Sequence, residues 1–295
     1  MTTGGQLVRA AGVGLHTEKT GTGPALVLIS GGGGDAEMYA DVVPLLAKRY
    51  TVITYDRRGN SRSKLDDAAT PIGLPEQADD VAAILDHYSI DKAYVFGNSG
   101  GAIITLEVLA RHEDRLLGAV VHEPPLVQLM PGSPEQRRFT ELRKIADNEG
   151  PLRGFVAFGA MTMSNPPKVF ETRAGRIAFA AMLKAALTTS AVRQRITGRA
   201  PAGMSRLAGN AEILFRRELP EFSLYEPDIE RLREVRVPWR LAVGEQSVGR
   251  PYYRPAFVLA ARLGLPCVDF PGGHTEFQLH PEGFALRLTE ILDHL

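Results

Sequence analysis

The chain has 295 residues, 44% of them apolar, enough for one large domain with a sizeable core. Its 34 Lys and Arg balance 34 Asp and Glu, so nothing in the charge points to nucleic acid or an anionic membrane as partner. The single cysteine, Cys267, excludes an internal disulfide framework and a cysteine-based metal site, and is read as a small buried apolar residue.

Met1–Leu15 lacks a charged segment followed by an apolar run, so no signal peptide is expected. No stretch approaches the roughly 18 uninterrupted apolar residues of a membrane span, and a soluble, cytoplasmic protein is the expectation. Gln6–Thr20 reads as a hairpin. Ala25–Ser30 is a continuous apolar run of the kind a strand buried on both faces shows, and it runs into Gly31–Gly34. Asp35 reads as an N-cap for a helix over Ala36–Arg49. Thr51–Tyr55 is the next buried strand, followed by the polar loop Asp56–Ser61. Pro75 opens an amphipathic helix to Tyr88, with Ala78, Val81, Ala82 and Leu85 on one face.

Gly97–Asn98–Ser99–Gly100–Gly101 fits G-x-S-x-G between a strand-like Lys92–Phe96 and a helical Ala102–Ala110. That context is what a nucleophile elbow requires. The serine sits in a strained turn, so the positions two before and two after it must be small. The turn lifts the hydroxyl clear of the sheet and leaves the Gly100 N–H at a helix N-terminus, where an oxyanion can bind.

Leu117–His122 is a further strand. From Pro124 to about Val235 the alternation stops, with candidate helices over Pro134–Asn148, Leu152–Met163, Pro167–Thr188 and Met204–Arg217. It returns with strand Trp239–Val243, a helix near Tyr253–Leu263, strand Cys267–Phe270 and a closing helix Pro281–His294. Strands alternating with helices imply a mostly parallel sheet with helices on both faces. The expected organisation is a core of residues 1–123 and 236–295 carrying an inserted helical cap, 124–235, at the edge where ligands bind in open α/β sheets.

Four features together resemble the α/β-hydrolase family over about Gly23–Glu123 and Pro238–Leu295. They are the glycine loop after the first apolar strand, Tyr55–Asp56–Arg57–Arg58–Gly59 with Ser61 and Ser63, the Ser99 elbow, and a late histidine in Pro271–Gly272–Gly273–His274. The resemblance implies an α/β-hydrolase fold with Ser99 as nucleophile. Among the seven histidines, His274 follows a strand, lies in a glycine-rich loop and comes after Ser99 in chain order, as the base should. His280 is the alternative, and His16, His87, His112 and His294 fall on expected surface segments.

The acid departs from the family's commonest pattern. Three residues past Gly244, where Asp is usual, stands Ser247. Two carboxylates compete: Glu245, one residue past Gly244, and Glu123, which closes the preceding strand in His122–Glu123–Pro124–Pro125. Some family members carry the acid at that strand end. Among them are hydrolases of the lactone mycotoxin zearalenone, which have a similar His-Glu-x-Pro stretch. The oxyanion hole is expected from the Gly100 N–H and that of Gly32, with Gly33 as second choice.

Arg57 and Arg58 are read as structural, pairing with carboxylates such as Asp56. Lys168–Arg217 is rich in cations, a solvated face or a device for steering an anionic ligand. Phe155, Phe158, Met161, Met163, Phe179 and Met182 are candidates for apolar pocket lining or cap core. No metal-ligand spacing or organic cofactor motif is present. The expected activity is hydrolysis of a carboxylic ester or lactone with an apolar body. Carbon–carbon bond hydrolysis or peracid formation on the same triad, and a ligand-binding receptor with little turnover, are the alternatives. A homodimer through the cap or the last helix is compatible with the sequence.

Overall fold

The computed structural model describes residues 3–163, 165–197 and 203–295. Its nine strands form one sheet in the order β1-β2-β4-β3-β6-β7-β8-β9, with β5 paired to β2. The strands are β1 Thr3–Ala10, β2 Val13–Thr20, β3 Ala25–Ile29, β4 Thr51–Tyr55, β5 Lys64–Leu65, β6 Ala93–Asn98, β7 Leu116–His122, β8 Trp239–Gly244 and β9 Cys267–Phe270. The N-terminal hairpin β1–β2 is antiparallel and so is its join to β4; from β4 to β9 neighbouring strands run parallel.

β3 shows why a continuous apolar run makes a central strand. Side chains alternate across a strand, so Val27 and Ile29 enter a core shared with helices Leu74–His87 and Gly100–Arg111. Leu26 and Leu28 enter a second core with Tyr39, Phe96 and Phe284 of helix Pro281–Asp293. Both faces are therefore covered by helices. Truncating Leu28, which is 1% exposed, to alanine costs about 2–5 kcal/mol in such a setting. At the sheet edge, β9 leaves Cys267 half-buried rather than buried.

The parallel strands end level with one another. Register pairs Ile29 with Gly97, Asn98 with His122, His122 with Ala242 and Gly244 with Phe270. The segments that follow, beginning at Ser30, Ser99, Glu123, Glu245 and Pro271, consequently open on one edge.

Several expected helices differ in detail. Ala36–Arg49 is a 3-10 turn, Ala36–Tyr39, and a separate short helix, Val43–Leu46. Pro44 has no N–H to continue an earlier helix but suits the first turn of a new one. Asp35 does cap this segment, accepting from Glu37 N at 2.8 Å. In place of Pro167–Thr188 stand a 3-10 turn, Lys168–Glu171, and helix Arg173–Thr197. The break falls at Thr172, whose hydroxyl accepts from Gly175 N at 3.0 Å. Met204–Arg217 is divided into Met204–Gly209, Ala211–Ile213 and a π-turn, Leu214–Glu218, which leads into helix Leu219–Leu224. Between β7 and β8 the described residues form helices and no strand. This insertion has apolar clusters of its own around Phe139, Leu142, Leu214 and Phe215, and around Val156 and Leu183.

Candidate active site

Ser99 adopts φ 57° and ψ −120°, a backbone conformation an L-residue enters only under constraint. The constraint is visible on both sides. Its N–H donates to His122 O at 2.9 Å, tying the turn to the end of β7. A Cβ on Gly97 would lie 2.1 Å from Thr105 Oγ1 and 2.2 Å from Gly101 O, and one on Gly101 would lie 2.2 Å from Ile29 O. Glycine at these two positions is what allows strand, turn and helix to close this tightly. Gly100 is the first residue of helix Gly100–Arg111, so its N–H is one of those a helix leaves unpaired at its start.

Glu123 follows β7 directly, at φ 51°. Its N–H donates to Ala242 O at 2.8 Å, and its Oε1 accepts from Gly244 N at 2.8 Å. The other oxygen, Oε2, lies 2.5 Å from His274 Nδ1. Side-chain exposure is 0% for Glu123 and 3% for His274, so water does not compete. Burial by itself would raise the Glu123 carboxyl. The neighbouring His122, the hydrogen bond with His274 and the Ser247 hydroxyl outweigh it and hold the acid below the usual carboxylate range. An ionised Glu123 accepts a hydrogen bond from Nδ1–H, which keeps the proton on that nitrogen and leaves His274 Nε2 as the basic one. Tyr252 stacks on the His274 ring, with centroids 3.7 Å apart and planes 22° apart, which fixes the ring's tilt.

The other candidates lie elsewhere. Glu245 is exposed. Ser247, in the usual acid position, is buried beside Glu123. His280 is exposed and bonds Glu276 Oε1 at 2.8 Å.

In the loop after β3, Gly31 O accepts from Gly34 N at 3.1 Å and from Arg57 Nη2 at 3.0 Å. Gly33 O accepts from Asn210 Nδ2 at 2.5 Å. The Gly32 and Gly33 N–H groups donate to no protein acceptor among the described residues. The insertion sits against this loop and the elbow. A Cβ on Gly32 would lie 2.3 Å from the Phe158 ring, one on Gly33 3.1 Å from Leu207, and one on Gly100 2.8 Å from Phe222. Of the six expected lining residues, Phe158 is thus placed against the site loops. Phe155, Met161 and Phe179 pack within the insertion, while Met163 and Met182 are exposed.

Arg57 and Arg58 are fully buried, but neither pairs with Asp56. Arg57 forks onto Glu218 at 2.5 and 2.9 Å and also donates to Gln77 Oε1 at 2.6 Å. Arg58 forks onto Asp80 at 2.7 and 2.6 Å. Asp56 instead holds Arg62 and caps Ala36 N. The expected pairing was the nearest in sequence, whereas Glu218 is 161 residues away and no local spacing announces it. Arg206 and Arg217 of the cation-rich stretch bind Asp35 and the Thr70 carbonyl of the core, tying the insertion down.

One histidine was not anticipated. His122 is fully buried among Phe96, Phe270 and Phe284, and its Nδ1 lies 2.7 Å from Asn98 Oδ1. Burial lowers its pKa to about 4, so it stays neutral at physiological pH.

A family model described as the alpha/beta hydrolase fold matches residues 24–183 of this chain. An uncharacterized hydrolase from Bacillus subtilis, YraK, is 30% identical over 297 residues, covering 99% of this chain and 97% of its own. Among solved structures, Est816, described as an N-acyl homoserine lactone degrading enzyme, is similar with a TM-score of 0.68 at 21% identity, covering 97% of this chain and 99% of that one. A thermophilic esterase from Thermogutta terrifontis has the same TM-score, 0.68, at 20% identity, covering 100% of this chain and 98% of that one.

Proposed function

Because this chain belongs to the alpha/beta hydrolase family, a set of hydrolases built on one fold, we propose that it is a serine hydrolase cleaving a carboxylic ester or lactone of a mostly apolar small molecule. The observation that carries the reading is the buried Glu123–His274 pair on the sheet edge where the strained Ser99 turn also opens. An orienting acid, a base and an activated hydroxyl are what acyl transfer needs. Ser99 Oγ attacks the carbonyl carbon while His274 Nε2 takes its proton. The negative charge that develops on the carbonyl oxygen is met by the Gly100 N–H and by that of Gly32. His274 then gives the proton to the departing alkoxide. A water, deprotonated by the same nitrogen, releases the acid and restores Ser99. Glu123 holds the tautomer and stabilises the imidazolium. The helical insertion acts as a cap: Phe158, Leu207 and Phe222 supply apolar surface next to the oxyanion loop, which suits an apolar substrate. Fold neighbours named as an esterase and as a lactone-degrading enzyme make esters and lactones the first substrates to try.

The test is intact mass after exposure to a fluorophosphonate, for wild type and Ser99→Ala, with hydrolysis of p-nitrophenyl butyrate measured alongside. One adduct and turnover in wild type, both lost in Ser99→Ala, is the expected result. No adduct on wild type, or an adduct that survives Ser99→Ala, overturns the assignment.

A further inference from the structure

We propose that Glu218, on the π-turn of the insertion, is a positioning residue that orients the oxyanion hole through Arg57; this inference rests on the serine-hydrolase reading for its catalytic consequence only. The chain of contacts is continuous and buried. Glu218 and Arg57 are both 0% exposed at the side chain and joined by two parallel hydrogen bonds. Asn60 Nδ2 donates a further bond to Glu218 Oε1 at 2.9 Å, and Gln77 Oε1 accepts from Arg57 at 2.6 Å. The guanidinium thus has one available position, and in it Nη2 donates to Gly31 O at 3.0 Å.

That last bond sets the direction of a donor. In a planar trans peptide the carbonyl of one residue and the N–H of the next point opposite ways. Fixing Gly31 O toward Arg57 therefore turns the Gly32 N–H away from Arg57, and that N–H is one of the two the reaction needs. Within the loop Gly34 N also donates to Gly31 O, at 3.1 Å, a turn bond that the Arg57 bond reinforces. Four consecutive glycines, two of them at φ 94° and 60°, offer the backbone many alternative peptide orientations. The insertion grips the next part of the loop as well, since Asn210 Nδ2 donates to Gly33 O and Asn210 Oδ1 accepts from Ser61 N at 2.8 Å. Two insertion residues thus fix two of the loop's carbonyls, one directly and one through Arg57.

A buried ion pair is weak evidence for stability, because desolvation offsets much of its attraction. Its geometric effect is the better account here. π-turns recur at functional sites, and this one places Glu218 facing Arg57. When the insertion is seated, the hole is formed; when it lifts, Arg57 loses Glu218 and the Gly31–Gly32 peptide keeps only the Gly34 turn bond to hold it.

The experiment compares wild type, Glu218→Gln and Asn210→Ala, each labelled with ¹⁵N-glycine, by following the Gly32 and Gly34 amide resonances and the rate of fluorophosphonate adduct formation. Glu218→Gln is expected to shift the Gly32 amide and to slow labelling by at least ~10-fold, up to the ~100-fold that a lost oxyanion donor costs. Hydrolysis of p-nitrophenyl butyrate should lose kcat with little change in KM, because the donor acts on the transition state. Glu218→Asp, which keeps the charge but shortens the reach to Arg57, stands in if Glu218→Gln does not fold; Asn210→Ala leaves the Glu218–Arg57 pair in place. It is expected to shift Gly34, whose N–H shares a peptide with Gly33 O, and to slow labelling. A folded Glu218 variant whose Gly32 amide stays in place, or which labels at the wild-type rate, overturns the proposal. If Gly32 shifts in Glu218→Gln but wild type never labels, the positioning role stands and the hydrolase reading falls.

Discussion

Glu123 and His122 are adjacent in sequence and do opposite things with charge. Glu123 is buried yet ionised, because His122, His274 and Ser247 surround it; His122 is buried and neutral, because its loss of water outweighs the pull of the Glu123 charge. Replacing Glu123 with Gln keeps the volume but removes the charge that sets the His274 tautomer. Turnover should fall by about 10⁴-fold, whereas Glu245→Gln, altering an exposed side chain, should leave it unchanged; equal losses in both variants would reject Glu123 as the acid. His122 carries a pH dependence of stability. Its pKa is lowered from 6.5 to about 4 in the fold. Between those values the unfolded chain binds a proton that the folded one refuses, so stability falls as pH drops through that window. From pH 7 to pH 5 wild type should lose about 2 kcal/mol more than His122→Gln, measured by urea unfolding; parallel losses would sink the idea. The residues proposed as acid, base and nucleophile were legible because each follows a strand in a short local pattern. Tyr252, Glu218 and Asn210 were not, since their roles depend on contacts across the fold that no local spacing encodes.

At the level of elements, what periodicity could read was whether a segment is strand or helix, and what it could not read was where a helix breaks. β3, helix Tyr253–Leu263 and β9 match the expected bounds within a residue, because apolar runs and Gly or Pro flanks mark them. Ala36–Arg49 and Pro167–Thr188 did not hold as single helices, since one proline and one capping threonine outweigh a helical pattern on either side. The same glycine substitution should have opposite signs in two elements. Gly97→Ala drives a methyl into Thr105 and the Gly101 carbonyl at the elbow, and should cost about 3 kcal/mol. Gly159→Ala lies within helix Pro151–Thr162, where the new methyl meets only Met163 Sδ at 3.8 Å. It should stabilise by about 0.5–1 kcal/mol through helix propensity. Urea midpoints of the two variants test this, and destabilisation by Gly159→Ala, or tolerance of Gly97→Ala, would contradict the steric account.

For the molecule as a whole, the insertion covers the candidate site. It is fastened to the core by Arg206 on Asp35, Arg217 on Thr70 O, Asn210 on Gly33 O and Glu218 on Arg57. In that position Ser99 is 8% exposed and His274 3%. A large cleft at the insertion, about 360 Å³ and lined by Leu142, Met161, Phe170 and Pro251, does not include Ser99 or His274. On the proposed reading a bulky ester has to displace part of the insertion before Ser99 can reach its carbonyl, and the insertion side chain standing against Gly32 is the Phe158 ring. If that ring limits access, Phe158→Ala should speed labelling by a long-chain fluorophosphonate about ten-fold, equivalent to ~1.4 kcal/mol off the barrier. A methyl fluorophosphonate, small enough to pass the ring, should change little. The ratio of the two rates separates access from chemistry. Equal acceleration of both probes would mean that Phe158 acts on the oxyanion loop itself, and slowing of both would mean that the ring holds the insertion in its seated position.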